Sequence, residues 1–337
     1  MFLKKDKNIL VADVGGTKTS IAIINQNKIL LVKKVYSSNE IINFTDTILQ
    51  FMNSEECKKY KLIDANIAVA GVINEERNYV RLTNLNWVVD VNSLLVRTSL
   101  HNITLLNDFE AIGLGFNALK DTQYVEITNH GRNSKGTIAI IGAGTGLGMS
   151  ILAYNNNKYY SVLSEGGHID FPFVLNDKID VKLYSFLLQK KLYADSEDIV
   201  SGRGIVNIYN FLLTQKLKHN DKIKKEISKL SKEEKPAIIM KYALEDKEAV
   251  CIYTLELFIK YYARIAKNLA LTTLCSELII SGGIAPKIIS AMQDSFVDEF
   301  VLHNRQEFRK VLERIPILVL TDSDIGLYGA ANATRIR

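Results

Sequence analysis

The sequence predicts a mixed α/β chain folded as two domains. Three observations predict it: a length beyond the reach of one core, buried-strand runs that alternate with helical stretches, and a strand–turn–strand unit near the N-terminus that starts again mid-chain. The chain has 337 residues, 47% hydrophobic and 23% charged. That is enough apolar surface for a large core, and more chain than a single core usually serves. Glycine, at 19 residues, and proline, at four, are scarce, which excludes collagen-like and low-complexity classes.

The elements follow in order. Ile9 to Ala12 reads as a strand, Gly15-Gly16 as a turn and Ser20 to Ile24 as the returning strand of a hairpin. Lys28 to Tyr36 continues the β-branched pattern. Ile41, Phe44, Ile48 and Phe51 then recur at helical spacing up to Met52, and Ala65 to Ile73 is a buried-strand run. Ile103 to Leu106 is a further short strand, leading through Asn107-Asp108 into an apolar helix from Phe109 to Leu119. The polar, turn-rich stretch Thr128 to Lys135 marks a junction. The pattern restarts beyond it, with a strand at Thr137 to Ile141, a glycine loop at Gly142 to Gly148 and a strand at Met149 to Tyr154. The match of Gly16-Thr17 to Gly144-Thr145 is too short to establish an internal repeat by itself. From Tyr193 the chain is mainly helical, and the stripe Val250, Leu257, Tyr261, Ile265 and Leu269 is assigned to core packing. It closes with a strand at Leu278 to Ser281, the turn Gly282-Gly283, a strand at Ile317 to Leu320 and a small-residue helix at Gly326 to Ala333.

Charge and cysteine usage exclude several classes. The net charge is +5, and eight lysines against four acids between Lys216 and Lys235 account for +4 of it. Interspersed acids and the absence of aromatic residues make that stretch a solvated helical face or loop rather than a nucleic-acid or membrane patch. Cys57, Cys251 and Cys275 are odd in number and far apart, so neither a disulfide framework nor a clustered zinc site is expected. No apolar leader core follows Met1 to Lys7, and no run of about 18 uncharged apolar residues occurs. A cytoplasmic protein with no membrane and no nucleic-acid partner is expected.

Twelve of the 19 glycines fall in five places: Gly15-Gly16, Gly142/Gly144/Gly146/Gly148, Gly166-Gly167, Gly202/Gly204 and Gly282-Gly283. Close backbone approach to a ligand is the leading reason for such clustering in a glycine-poor chain. No G-x-x-x-x-G-K-[ST] loop is present, and the alternate spacing of Gly142 to Gly148 is not the G-x-G-x-x-G fingerprint. Two hairpin turns remain, each with consecutive N–H groups and a threonine hydroxyl. Either alone is an ordinary tight hairpin; together they can form anion nests for a polyphosphate. Asp13 beside the first nest favours the second reading, because a carboxylate next to a phosphate calls for a divalent cation between them.

Six motifs carry a resemblance: Ala12-Asp-Val-Gly-Gly-Thr17, Leu106-Asn-Asp-Phe109, Gly142-Ala-Gly-Thr-Gly-Leu-Gly148, Glu165-Gly-Gly-His168, Ser201-Gly-Arg-Gly204 and Ser281-Gly-Gly-Ile284. In this order, over nearly the whole chain, they resemble the bacterial glucokinases of the actin/hexokinase superfold. The resemblance implies a two-domain α/β, actin/hexokinase-like (ribonuclease H-like) fold with ATP and sugar in the interdomain cleft. It places a small domain at residues 1–119 plus 321–337 and a large domain at 120–320. It also implies ATP-dependent phosphorylation of glucose to glucose 6-phosphate at the entry to glycolysis, with Mg²⁺ and a homodimer.

Phosphoryl transfer to a hydroxyl needs a proton acceptor, charge neutralisation on the phosphates and positioned donors. Asp108, between a strand and a helix, reads either as an N-cap or as the base; the resemblance makes it the catalytic base and a sugar contact. Asn107 can donate to and accept from a sugar hydroxyl. The resemblance adds Glu165, His168 and Glu197 to the sugar site, where alone a histidine reads as structural and Glu197 as an exposed helix acid. Asn84 resembles the loop beside the sugar, and Trp87 reads as core. Ala12, Asp13, Val14, Gly15, Gly16, Thr17 and Lys18 match the phosphate strand and turn, Gly142, Gly144 and Thr145 the second grip, and Gly282 and Gly283 the adenosine side. Asp13 would orient Mg²⁺ through water. Lys18 departs from the family's usual Asn, and Arg203 from its usual Pro.

Two other readings remain. Related hexose or amino-sugar kinases, which share a fold with sugar-responsive repressors, usually carry a cysteine-rich zinc motif near the sugar-site histidine; no cysteine lies between Cys57 and Cys251. The repressors would also need a DNA-binding domain ahead of the first hairpin, where twelve residues precede Asp13. A catalytically silent nucleotide-binding relative would have no use for Asp108 and the sugar set.

Overall fold

The computed structural model describes residues 8–82, 85–116, 121–132, 135–156, 158–189 and 191–333. The chain divides into two compact units. Residues up to Asp121, with Ser161–Leu163 and those from Asp322 on, make the first; Thr122–Tyr160 and Ser164–Thr321 make the second. The stretch from Thr128 to Lys135 lies within the second unit.

In the first unit β1 (Asn8–Val14) and β2 (Lys18–Asn25) form an antiparallel hairpin, extended by β3 (Leu30–Ser37). Leu10, Val11, Ala12 and Val14 are all fully buried. Burial on both faces is the signature of an interior strand, and explains why β1 reads as a continuous apolar run. Helix α1 (Phe44–Met52) starts later than its apolar spacing from Ile41 suggests, because the Asn43 side chain accepts from the Asp46 N–H at 3.1 Å and caps it. After β4 (Asp64–Val69), the short strands β5 (Tyr79–Arg81) and β6 (Val88–Asp90) pair with each other. Helix α2 (Val91–Arg97), β7 (Asn102–Asn107) and α3 (Asp108–Gly115) follow. The expected extension of α3 to Leu119 lies outside the described residues. The sheet order is β3-β2-β1-β4-β7, with β1, β4 and β7 parallel.

The second unit opens with β8 (Tyr124–Glu126), β9 (Ile138–Ala143), β10 (Leu147–Asn155) and β11 (Lys158–Ser164), apart from Ser161–Leu163 of the last, which group with the first unit. Five helices come next: α4 (Lys178–Leu188), α5 (Gly202–Leu213), α6 (Asp221–Lys229), α7 (Lys235–Leu244) and α8 (Ala249–Thr273). Then come β12 (Glu277–Ser281), α9 (Ala285–Val301), α10 (Gln306–Leu312) and β13 (Ile317–Leu320). The sheet order is β11-β10-β9-β12-β13-β8. β9 is antiparallel to β10 and parallel to β12, and β12 is parallel to β13. That is the scheme of β2-β1-β4-β7, so the short sequence match between the two hairpins marks equivalent places in two sheets of like topology. Helix α11 (Ile325–Asn332) belongs to the first unit and packs on α3, with Leu327 and Ala330 beside Ala111.

The core stripe predicted on α8 is buried throughout, and Phe258, Tyr262, Phe296 and Phe300 join it. Lys222, Lys225 and Lys229 lie on the exposed side of α6 while Ile227 is buried, so this part of the lysine-rich stretch is a solvated helix face. The three cysteines are buried and unbridged. No helix among the described residues is long and apolar enough to cross a membrane.

One buried ion pair ties α8 to α4. Arg264 donates to Asp180 at 2.5 Å, and Asp180, fully buried, also accepts from the Tyr261 hydroxyl at 3.0 Å and the Val174 N–H at 2.8 Å. Arg264→Ala would leave that carboxylate without its cation. We expect a loss of about 3–5 kcal/mol in chemical denaturation.

Candidate functional site

In the first unit the β1–β2 turn is closed by the Gly15 N–H, which donates to the Lys18 carbonyl at 3.0 Å. Ser38 braces the turn: its hydroxyl donates to the Gly15 carbonyl at 2.7 Å and its N–H to the Thr17 carbonyl at 2.9 Å. Both carbonyls are thus engaged within the protein, so neither need face an anion resting on the turn amides. Ser38 carries no motif signal. Its carbonyl accepts from the Trp87 indole at 3.0 Å, and Trp87 stacks on Phe44 at 5.5 Å as a core residue. Ala12 and Val14 are fully buried strand positions, so only their backbone is available to a ligand.

Asp13 is half-buried at the end of β1. Burial pushes its carboxyl up to about 6, against the pull of Lys18; Asp324 adds to the rise and Lys33 opposes it. Lys33 is itself paired with Asp324 at 2.6 Å. Gly326 on α11 leaves the carboxylate its place, since a Cβ there would stand 2.7 Å from Oδ2. A desolvated carboxylate beside a phosphate turn fits Mg²⁺, which binds through one or two carboxylates and takes other ligands from substrate phosphates and water. Among the described residues no group of three or more His, Cys, Asp or Glu could hold a metal alone.

Asn107 and Asp108 sit where β7 becomes α3. Asn107 caps the helix: its Oδ1 accepts from the Phe109 and Glu110 N–H groups at 2.9 and 3.4 Å, while the Glu110 carboxylate accepts from the Asn107 N–H at 3.3 Å. The cap is therefore Asn107, not Asp108, which removes the competing explanation for the aspartate. It also narrows Asn107: with Oδ1 committed to the backbone, its amide N–H groups are what it offers a sugar hydroxyl. Asp108 Oδ1 accepts from the Phe109 N–H at 3.0 Å. Arg77 stands behind the cap, donating to Glu110 at 2.9 Å and to the Leu105 carbonyl at 2.7 Å. Ser38, Arg77 and Glu110 were not legible as site-building residues, because their partners are distant in sequence or carry no motif.

Strand register joins these pieces. Val14 pairs with Val69, and Val69 with Asn107. The carboxyl ends of β1, β4 and β7 are therefore level, and the strands carrying Asp13 and Asn107-Asp108 lie two strand spacings, roughly 10 Å, apart. The ends of parallel strands are where open α/β sheets bind ligands.

In the second unit the loop from Gly142 to Gly148 joins β9 to β10, and Ser281 pairs with Gly142, so Gly282-Gly283 emerges beside it. Gly282 adopts φ +86°, and a Cβ there would collide with the Ala143 carbonyl; only glycine serves. Gly167 and Gly204 are likewise explained by packing, against Leu147 and the Ile199 carbonyl. A Cβ on Gly144 or Gly283 would meet nothing within 4 Å, so packing gives no reason for glycine at these two positions. Thr145 is exposed at the loop tip. The Gly202 N–H donates to the Gly144 carbonyl at 2.8 Å, bringing the start of α5 against the loop.

The sugar-set residues of this unit gather around the same loop. Glu165 and His168 flank a single helical turn and are exposed; His168 Nδ1 lies 3.3 Å from Asp195. Glu197 is not an exposed helix acid. Its Oε2 accepts from the Leu147 N–H at 3.0 Å and its Oε1 from Arg203 at 2.9 Å. Asn84 lies outside the described residues. Two hollows of about 350 and 450 Å³ in the first unit, lined by Asp64, Asn66 and Asn102 and by Tyr60, Lys61 and His101, contain none of the predicted residues. Neither hollow coincides with the strand-end cluster.

Comparison with known proteins agrees with this geometry. The Glucokinase family model matches residues 10–336. A glucokinase of Nostoc punctiforme is 34% identical over 343 residues, covering 96% of this chain and 97% of its own length. Among solved structures, a glucokinase from an Antarctic psychrotroph superposes with a TM-score of 0.77 at 27% identity, covering 96% of this chain and 98% of that one. A ROK family glucokinase from Streptomyces griseus, in complex with glucose and AMPPNP, superposes with a TM-score of 0.66 at 18% identity over 97% and 98% of the two chains, a likeness of fold. The fold is that of the actin/hexokinase-like sugar kinases, and the chain belongs to the Glucokinase family.

Proposed function

We propose that this enzyme transfers the γ-phosphoryl group of Mg-ATP to the 6-hydroxyl of glucose, with Asp108 as the general base. The observation that carries the reading is the level ending of β1, β4 and β7, which sets the Asp13 phosphate turn and Asp108 along one sheet end. Relatives named glucokinase, and a structural relative holding glucose and AMPPNP, support the choice of substrates.

The Asp108 carboxylate takes the hydroxyl proton as the sugar oxygen bonds to the γ-phosphorus. The bond from that phosphorus to the bridging oxygen breaks, and ADP leaves with the electron pair. Asn107 donates to the sugar through its amide, while Glu165, His168 and Glu197 accept from its hydroxyls, and the family resemblance adds Asn84 to the set. Such a set rejects analogues that lack a hydroxyl, because its polar groups would be left unpaired. Gly15, Gly16 and Thr17 of the first unit, and Gly144 and Thr145 of the second, offer amides and hydroxyls to the phosphates; Gly282-Gly283 borders the adenosine. Asp13 would hold Mg²⁺, which would supply neutralisation of phosphate charge. A cytoplasmic homodimer feeding glycolysis completes the reading.

ADP release measured with glucose, mannose and glucosamine tests it. Turnover is expected with glucose at the highest kcat/KM. Higher kcat/KM with mannose or glucosamine would reassign the substrate, and nucleotide binding without turnover on any hexose would overturn the reading.

A further inference from the structure

Arg203 stands in the first turn of α5, where a positive charge opposes the helix dipole. A cation at that place needs compensation, and two carboxylates provide it: Arg203 contacts Glu197 Oε1 at 2.9 Å and Asp198 Oδ1 at 3.2 Å. Asp198 is 1% exposed and is also paired with Lys191. Two acids and two bases thus balance in one cluster. The other oxygen of Glu197 accepts from the Leu147 N–H, inside the glycine loop. Gly146 makes that approach possible, since a Cβ there would run into the Glu197 carboxylate. A single carboxylate is therefore held between the guanidinium and the loop, with both of its oxygens oriented.

We infer that Arg203 is a positioning residue that clamps Glu197 onto the Gly144–Leu147 loop, and so couples the hexose site to the nucleotide loop. The coupling follows from the contacts. Removing Arg203 leaves Glu197 and Asp198 as adjacent acids with Lys191 on Asp198 alone, and the uncompensated charge turns Glu197 away from Leu147. A hexose hydroxyl then meets a mobile acceptor, and the loop loses the carboxylate that fixes its amide. Both contacts come from one nitrogen, Nη2, so a lysine at the same position can supply the charge and part of the contact without the planar guanidinium that orients it.

This inference rests on the kinase reading for its substrates, and the test separates the two. In Arg203→Gln we expect KM for glucose to rise about tenfold and KM for ATP about threefold, with kcat changed by less than either. Arg203→Lys should recover part of the loss in KM. Amide hydrogen exchange over residues 143–149, which needs no turnover, should accelerate about tenfold in Arg203→Gln and less in Arg203→Lys. Unchanged exchange in Arg203→Gln would overturn the clamp whether or not the enzyme phosphorylates glucose. So would faster exchange accompanied by a fall in kcat at constant KM, the pattern of general destabilisation. Absence of hexose turnover in the unaltered protein would instead count against the kinase reading, and leave exchange to decide the clamp.

Discussion

Asp108→Asn should lower kcat by about 10²–10⁴-fold while leaving glucose affinity within a few-fold, because it removes a proton acceptor and keeps the shape. The structure makes this a clean substitution. Helix α3 is capped by Asn107, so its start does not depend on Asp108. The hydrogen bond that the Asp108 carboxylate accepts from the Phe109 N–H at 3.0 Å can be kept by the asparagine oxygen. Stability should change by no more than about 1 kcal/mol, because asparagine keeps the volume and the bond from the Phe109 N–H. Steady-state kinetics with a glucose titration and a thermal melt check both halves. Undiminished turnover would remove Asp108 from the base role.

Asp13→Asn should divide activity from stability. On the role proposed for Asp13, loss of its carboxylate should lower kcat by at least about 10²-fold, the scale of a lost electrostatic contact at a transferring group. The same change should stabilise the metal-free protein, with a sign that depends on pH. Below the ordinary carboxyl value of 3.8 Asp13 is protonated in both folded and unfolded chains and nothing differs. Between 3.8 and about 6 the unfolded chain ionises first, so the folded state binds more protons and stability falls as pH rises. Above about 6 the penalty is fully present. The asparagine variant should therefore match the parent near pH 3.5 and exceed it above pH 6 by at most about 3 kcal/mol, less whatever the solvent reaching this half-buried group screens. Urea unfolding at several pH values in the presence of a chelator reads this out. Equal stability at pH 7 would show that Lys18 and Lys33 offset the burial of Asp13 completely.

Much of the architecture was legible because its signals are local. β1 and β9 are continuous apolar runs followed by glycine turns, and both are buried central strands. The α8 stripe recurs at helical spacing and is core. The glycines in these clusters fall into two kinds. Gly144 and Gly283 have open space where a side chain would go, whereas Gly167, Gly204 and Gly282 are required by contacts with Leu147, Ile199 and Ala143. A glycine count does not distinguish a ligand's approach from a neighbouring carbonyl's, because both exclude the same Cβ.

The sequence by its own patterns established the mixed α/β pattern and the two hairpins, and its ordered motifs carried the resemblance to the glucokinases. Periodicity, turn chemistry and glycine placement are properties of neighbouring residues, and they survive in a linear reading. Tertiary structure alone decided how those residues act. The register through Val69 levels Val14 with Asn107, and so brings Asp13 to the same sheet end as Asn107, although the two lie far apart in the chain. The cap assigns Asn107 Oδ1 to the backbone and frees Asp108 from that duty. The ion cluster turns Glu197 from a surface acid into a carboxylate fixed at both oxygens. Each outcome depends on strand pairing and on hydrogen bonds between distant segments, whose energies arise only when the chain has folded.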